Sequence, residues 1–217
     1  WETVRLSKTD ADYLEKRGRN GEISAPVLEK KHGCWKLRFA VTETVKLSDK
    51  PVREQKICAV DLGVNTDAVC SVMNSMGTVL ARRFITCGRE KDSVKNALHR
   101  VSVFQSVQGS HDSGRLWNLA KRRNTNLAHQ TARQIVNFAV ENECDVIVME
   151  HLDPKGRKHG SKKQKLAMWK HADIQNTAET LAHHYGIRIS HVNAWGTSRL
   201  AYDGSGRVKR GREVSED

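Results

Sequence analysis

Two acidic residues stand where acids are costly. Asp61 follows the apolar run Ile57-Cys58-Ala59-Val60, and Gly63 then lets the backbone turn. Glu150 follows a second run, Val146-Ile147-Val148-Met149. A carboxylate inside an otherwise apolar strand costs free energy unless something pairs with it. For a hard oxygen ligand at a strand end, that partner is commonly Mg²⁺ or Mn²⁺. If the two strands are neighbours, the carboxylates repel one another unless a divalent ion bridges them. Two such metals about 4 Å apart activate a water and stabilise the leaving 3′-oxygen of a phosphodiester, with no covalent enzyme intermediate. Asp61 and Glu150 are therefore candidate metal ligands and catalytic residues. Singly, an acid ending a strand is more often a cap or an ion-pair partner; the reading rests on the pair.

The pair forms only if the surrounding elements bring it together. Ile57–Ile85 reads as three strands joined by tight turns, an antiparallel meander with Asn74-Ser75-Met76-Gly77 at one turn. Residues Gly88–Gly114 are polar, with weak helical periodicity around Val94–Val107 and a break at Gly109–Gly114. Leu116–Glu143 is predicted as a helix, since Leu116, Ala120, Leu127, Ala128, Ile135 and Ala139 fall on one stripe. The run ending at Glu150 is continuous, as in a parallel strand covered on both faces. A second helix over Lys165–Tyr185, stopped by Gly186, and a fifth strand over Arg188–Val192 follow.

This order predicts an α/β fold of RNase H-like type. It is a mixed five-stranded sheet with flanking helices, in which strand 1 lies beside strand 4 through a right-handed crossover. Ahead of it, Ser24–Leu28 and Cys34–Thr44 read as a small antiparallel β element, with Trp35, Leu37, Phe39 and Val41 alternating against polar neighbours. Trp1–Ser7 reads as a short strand and Thr9–Asn20 as a polar helix or loop. Ser48–Gln55, with Pro51, reads as a linker. The predicted division is 1–52, 53–192 and a basic loop segment, 193–217.

Charge narrows the partner. Lys plus Arg number 37 against 25 acids, a net charge of +12, which favours a polyanion. No apolar run reaches the roughly 20 residues of a membrane span, and no signal peptide is legible. Cys34, Cys58, Cys70, Cys87 and Cys144 are scattered without a Cys-x-x-Cys pair, which predicts reduced thiols in a cytosolic protein and no zinc site. The start at Trp1 suggests a fragment of a longer chain. A competing reading exists for Asp61-Leu62-Gly63 with Asn65 and Thr66, which also resembles the first phosphate loop of actin-like ATPases and sugar kinases. Those proteins need a second glycine-rich loop and a duplicated domain. Glu150-His151-Leu152-Asp153 is no such loop, and 217 residues are too few.

Three segments together, Ala59–Asn65, Asp145–Leu152 and Asn193–Leu200, resemble TnpB, the transposon-encoded RNA-guided DNA endonucleases related to type V CRISPR effectors. The resemblance spans about residues 24–217, with the motifs in the family's order and spacing. It implies a RuvC-like nuclease domain, preceded by the end of a wedge-like β-barrel that holds a guide RNA. It also implies Asp61 and Glu150 as the first two catalytic positions, Mg²⁺ or Mn²⁺ as cofactor, and guide RNA and target DNA as partners in a cytoplasmic, nucleoid-associated protein. Most of the family carries a four-cysteine zinc ribbon after the Thr-Ser pair. Here Thr197-Ser198 leads into Arg199–Gly206 without cysteine, resembling a zinc-less subgroup. The family's third catalytic Asp would lie beyond residue 217, because Asp203 and Asp217 lack its helix context.

Under the resemblance, Lys155, Arg157, Lys158, Lys162 and Lys163 contact nucleic acid near the cut, and Lys121, Arg122 and Arg123 face the guide–target duplex. In such systems pairing reads sequence while the protein reads shape and phosphate. Trp195 and Arg199 are further nucleic-acid contacts, Trp195 by stacking a base. Against each cation stands plain solubility. Trp169 sits on an apolar stripe and reads as core, and His129 and His151 as structural histidines. The alternative to an enzyme is a nuclease-inactive RNA- and DNA-binding module of the same fold.

Overall fold

The computed structural model describes residues 3, 5–19, 21–31, 33–108, 113–151 and 168–193. By its contacts the chain divides into two compact units, Trp1–Lys46 and Leu47–Asp217.

In the first unit, α1 (Lys8–Gly18) begins where the Ser7 hydroxyl accepts the Asp10 amide at 3.2 Å. That cap turns the chain into the helix, so the short strand predicted for Trp1–Ser7 is absent from its described residues. Four short strands follow: β1 (Gly21–Ile23), β2 (Val27–Lys31), β3 (Cys34–Arg38) and β4 (Val41–Glu43). The hairpin β2–β3 closes at Gly33, whose φ of +79° suits glycine. The continuous strand expected over Cys34–Thr44 is interrupted at Phe39-Ala40, and the segment beyond pairs as β4 with β1. The Ser24 amide bonds the Ala40 carbonyl at 2.9 Å across that break, satisfying backbone that a longer hairpin ladder would have used. Arg17 grips both oxygens of Glu43 at 3.0 and 3.1 Å. No described residue of this unit is buried.

The second unit holds the core. Its strands are β5 (Ile57–Leu62), β6 (Ala68–Met73), β7 (Val79–Ile85), β8 (Val146–His151) and β9 (Arg188–Asn193), in the order β7-β6-β5-β8-β9. Strand β5 is antiparallel to β6 and parallel to β8, and β8 is parallel to β9. This is the predicted RNase H-like arrangement. The turn between β6 and β7 uses Gly77 at φ +81°, and Asn74 Oδ1 accepts the amides of Met76 and Thr78, both at 3.0 Å.

Helices α2 (Gly88–Gln108), α3 (Gly114–Glu141) and α4 (His171–His184) complete the unit. Helix α2 is weakly legible because it buries only Val94, Ala97 and Val101. Helix α4 begins at His171, later than the Lys165 start predicted. Trp169 and Lys170 are non-helical, with Met168 held by the Asn124 side chain through a 2.7 Å bond to its carbonyl, and residues 165–167 lie outside the described residues. On one sheet face Cys58, Val60, Leu62, Cys70, Val72, Ile147 and Met149 pack with Ala132, Ile135 and Ala139 of α3 and Ala178 of α4 in a single cluster.

The segment predicted as a linker, Ser48–Gln55, is bonded to this unit instead. Ser48 Oγ donates to Asp145 at 2.9 Å, Lys50 Nζ pairs with the same carboxylate at 2.9 Å, and Gln55 is buried. All five cysteines are free thiols, four of them buried. Among the described residues no helix is long and apolar enough to cross a membrane.

Candidate functional site

Strands β5 and β8 run in parallel register, Ile57 beside Val146 through Val60 beside Met149. The constant offset carries Asp61 opposite Glu150 at the next step. Neighbouring parallel strands lie about 4.8 Å apart, and residues in one row project from one face. Both carboxylates therefore stand side by side at the carboxyl ends of the two central strands, the edge where open α/β sheets gather their ligands.

The alternation of β5 sends Cys58, Val60 and Leu62 into the core and Asp61 outward, so Asp61 is exposed rather than buried among apolar strand neighbours. Its carboxyl is nonetheless raised above the ordinary value, first by the desolvating atoms around it and then by the charge of Glu150. Glu150 is half-buried, and Gln175 in the first turns of α4 donates to its backbone carbonyl at 2.7 Å, fixing the end of β8.

The turn after β5 is held from beneath. Gly63 donates to the Asp67 carbonyl at 3.3 Å, and a Cβ at Gly63 would stand 2.5 Å from the Thr66 carbonyl oxygen, so only glycine closes this turn. Asp67 is 7 % exposed. Its carboxylate accepts the Cys87 amide at 2.7 Å and pairs with Lys91 Nζ at 3.0 Å, while Lys91 also reaches the Asn65 carbonyl. Asp67, Lys91 and Gln175 were not legible as site residues, because each looks like an ordinary surface polar side chain until the fold is known.

Of the predicted nucleic-acid contacts, Lys121 and Arg122 are exposed on α3, and Arg123 is partly covered and donates to the Ser93 carbonyl of α2 at 2.9 Å. Three consecutive helical residues span about 200° of arc, so the trio cannot share one face. Arg122 and Arg123 line a cleft between α2 and α3 with Arg89. Lys155, Arg157, Lys158, Lys162, Lys163, Trp195 and Arg199 lie outside the described residues. His151 is exposed and meets His191 edge-on at 6.3 Å between ring centroids; His129 is exposed on α3. Trp169 packs against the core cluster, as expected.

Asp61 and Glu150 offer the hard oxygen donors that Mg²⁺ or Mn²⁺ prefers, and a cation there would offset the desolvation and the Glu150 charge that together raise Asp61. Among the described residues no group of three histidine, cysteine or acidic side chains is placed to hold a metal ion.

No family model matches the chain. Over 222 residues it is 24% identical to the CRISPR-associated endodeoxyribonuclease Cas12f1 of an uncultured archaeon, an alignment covering 89% of this chain and 39% of that protein. Two cryo-EM structures share its fold. One is a Cas12f1–sgRNA–target DNA complex, with TM-score 0.56, 21% identity, and coverage of 84% of this chain and 45% of that one. The other is a CRISPR-Cas12f ternary complex, with TM-score 0.57, 22% identity, and coverage of 90% and 40%. The chain thus spans about two fifths of the length of the relatives it matches.

Proposed function

We propose that this chain carries the nuclease domain of an RNA-guided DNA endonuclease of the kind common to TnpB and type V effectors. One observation carries the reading: Asp61 and Glu150 come one step beyond the paired Val60–Met149 row, at the carboxyl ends of β5 and β8, and the charge of Glu150 reaches Asp61. Likeness in sequence and fold to Cas12f1, an endodeoxyribonuclease, supports it. In this reading the partners are a guide RNA and target DNA, to which the net charge of +12 is suited, and the protein belongs with a transposon. The first unit, up to Lys46, would contribute the end of the guide-holding wedge, and the second, from Leu47, the RuvC-like domain.

Asp61 and Glu150 would hold Mg²⁺ or Mn²⁺, which when bound supplies Lewis-acid activation of water and charge neutralisation at the leaving oxygen. The chain's own residues set the geometry. Asp67 and Lys91 fix the turn beyond Asp61, and Gln175 anchors the strand end beneath Glu150. Lys121 and Arg122 would meet phosphates, which position a strand without reading its sequence.

A second reading, a nuclease-inactive RNA- and DNA-binding module, draws on the described residues supplying two carboxylates and no third ligand. Cleavage of single-stranded DNA by the full-length protein with its guide RNA separates the two. EDTA-sensitive activity in Mg²⁺ or Mn²⁺, lost in Asp61→Ala, is expected; tight binding without any metal-dependent cleavage would favour the inactive module.

A further inference from the structure

Helix α3 carries charge in a way that folding does not call for. Its 28 residues hold one acid, Glu141 in the last turn, which pairs with Arg83 at 2.9 Å. Arg115 stands in the first turn, where the positive end of the helix dipole favours an acid instead. No acid four residues from a lysine or arginine steadies the outer face before that last turn. The neighbouring helix α2 is the contrast: its exposed Arg89, Lys95 and Arg100 share the surface with Glu90 and Asp92, the mixed signs of an ordinary solvated face.

The outer residues of α3 also line up. Arg115, Asn118, Arg122, Asn126, His129 and Arg133 follow one another at steps of three and four residues, which places them on one stripe, and all six are exposed. From Arg115 to Arg133 the stripe runs about 27 Å along the helix axis, the length of about eight base-pair steps of 3.4 Å. Among the described residues the three arginines make no ion pair or side-chain hydrogen bond. Guanidinium groups and side-chain amides are donors suited to phosphate oxygens. Glu90 lines the cleft beside Arg122 and Asn126, but Arg89 and Arg123 line it too, so cations outnumber acids there.

No Trp, Tyr or Phe stands on the stripe; Trp117 and Phe138 of the same helix lie off it, half-buried and buried. Single strands are held by stacking their bases on aromatic rings, which this surface does not offer. It fits phosphates already arrayed along a straight rod, and a DNA duplex, with a persistence length of about 150 bp, is straight over this distance. Helix α3 packs against α2, α4 and the sheet, so it cannot sink into a groove about 12 Å wide, and base edges stay out of its reach. We propose that the exposed stripe of α3 is a docking track for the backbone of a DNA duplex, bound without regard to sequence. The proposal rests on the nuclease reading for its class of partner and takes nothing from the metal chemistry.

The test uses the full-length protein with its guide RNA, in EDTA, and a fluorescein-labelled DNA duplex of sequence unrelated to the guide. Anisotropy titrations over a salt series give the slope of log affinity against log salt. Changing Arg115→Gln and Arg133→Gln together should reduce that slope by about 1.8, two phosphate contacts at about 0.9 each, with melting temperature held. Arg115→Lys with Arg133→Lys should keep the slope, a rescue that a structural role for the side chains would not predict. Lys95→Gln with Arg100→Gln, on the mixed-sign face of α2, should leave it unchanged. A slope unaltered in the Arg115, Arg133 glutamine variant, an equal loss in the α2 variant, or a loss seen only with a single strand or an RNA–DNA hybrid would each overturn the proposal. Metal-dependent cleavage by the unaltered protein is scored separately, so the nuclease reading can fail while the duplex slope still upholds the docking track.

Discussion

The two ends of the β5–β8 strand pair each carry acids, and they treat them oppositely. At the amino end of β8, Asp145 is buried and fully engaged. It accepts Ser48 Oγ at 2.9 Å and the Lys56 amide at 3.0 Å, and pairs with Lys50 at 2.9 Å. Burial disfavours its charge, but Lys50, the Lys56 amide and Ser48 outweigh that and hold the carboxyl below its usual value. At the carboxyl end, Asp61 is exposed yet raised, first by the desolvating atoms around it and then by the like charge of Glu150. A structural acid is stabilised as an anion by what the chain provides. Asp61 instead stands where its surroundings and the charge of Glu150 both disfavour the anion, which suits the metal-ligand role proposed for it. Both acids border apolar strand residues; what sets their opposite shifts is the partners each one meets.

Substitution should separate the ends most sharply in catalysis. Asp61→Ala or Glu150→Ala is expected to lower single-strand cleavage by at least about a thousandfold, about 4 kcal/mol in the barrier, with binding and melting temperature little changed. Asp145→Asn should invert that pattern. It leaves Lys50 and the Lys56 amide facing a neutral group, at a stability loss of about 2–4 kcal/mol and a fall in melting temperature on the order of 10 °C, with cleavage retained at permissive temperature. Paired calorimetry and cleavage assays check both. Equal loss of binding and cleavage in the Asp61 variant would count against the metal-site assignment.

Acid should divide them next. Asp145 has a folded pKa below its unfolded one, so its contribution is present above about pH 4 and is lost as pH falls through the lower, folded value. Unfolding monitored from pH 6 to 2 should therefore show an acid limb that is shallower in Asp145→Asn. Asp61 has the opposite sign. Its folded pKa is raised, so the associated stability is present below the unfolded pKa and is lost as pH rises through the folded one. Carbon-detected NMR of the Asp61 carboxyl should place its midpoint above that of a model aspartate, and Mg²⁺ should move it down. A midpoint indifferent to Mg²⁺ would separate Asp61 from any metal.

How far the sequence reached follows the same division. An acid closing an apolar run is a local signal, so the strands that carry Asp61 and Glu150 were legible, as was the stripe of α3. The satisfied acids were not. Asp145 finds Ser48 97 residues away, and Asp67 finds the Cys87 amide 20 residues on, across two strands and the turn between them. Such pairings exist only in the folded chain, which is why Ser48–Gln55 read as a linker and Asp67 was not singled out. Helix α2 was faint because three buried residues in 21 leave little periodicity. The exchange of partners between β1–β4 and β2–β3 depends on a break at Phe39-Ala40 that no glycine or proline marks.

The smallest expected effect lies on α3, where committed and uncommitted charges again stand close together. Arg123 spends a guanidinium N–H on the Ser93 carbonyl and so ties α3 to α2, whereas Lys121 and Arg122 are exposed. If the exposed pair meets phosphate, Lys121→Ala and Arg122→Ala should each reduce the slope of log affinity against log salt by about 0.7–0.9 on single-stranded or duplex DNA, without a change in melting temperature. Arg123→Ala should instead lower stability by about 1 kcal/mol, the worth of one hydrogen bond from a charged donor at a part-buried site, and alter the salt slope less. Salt titrations by fluorescence anisotropy, run beside thermal melts of the same three variants, read both quantities. A slope unchanged in Lys121→Ala and Arg122→Ala would return those side chains to the role of solubilising charge, and a full unit lost in Arg123→Ala would show that its tie to Ser93 opens when nucleic acid binds.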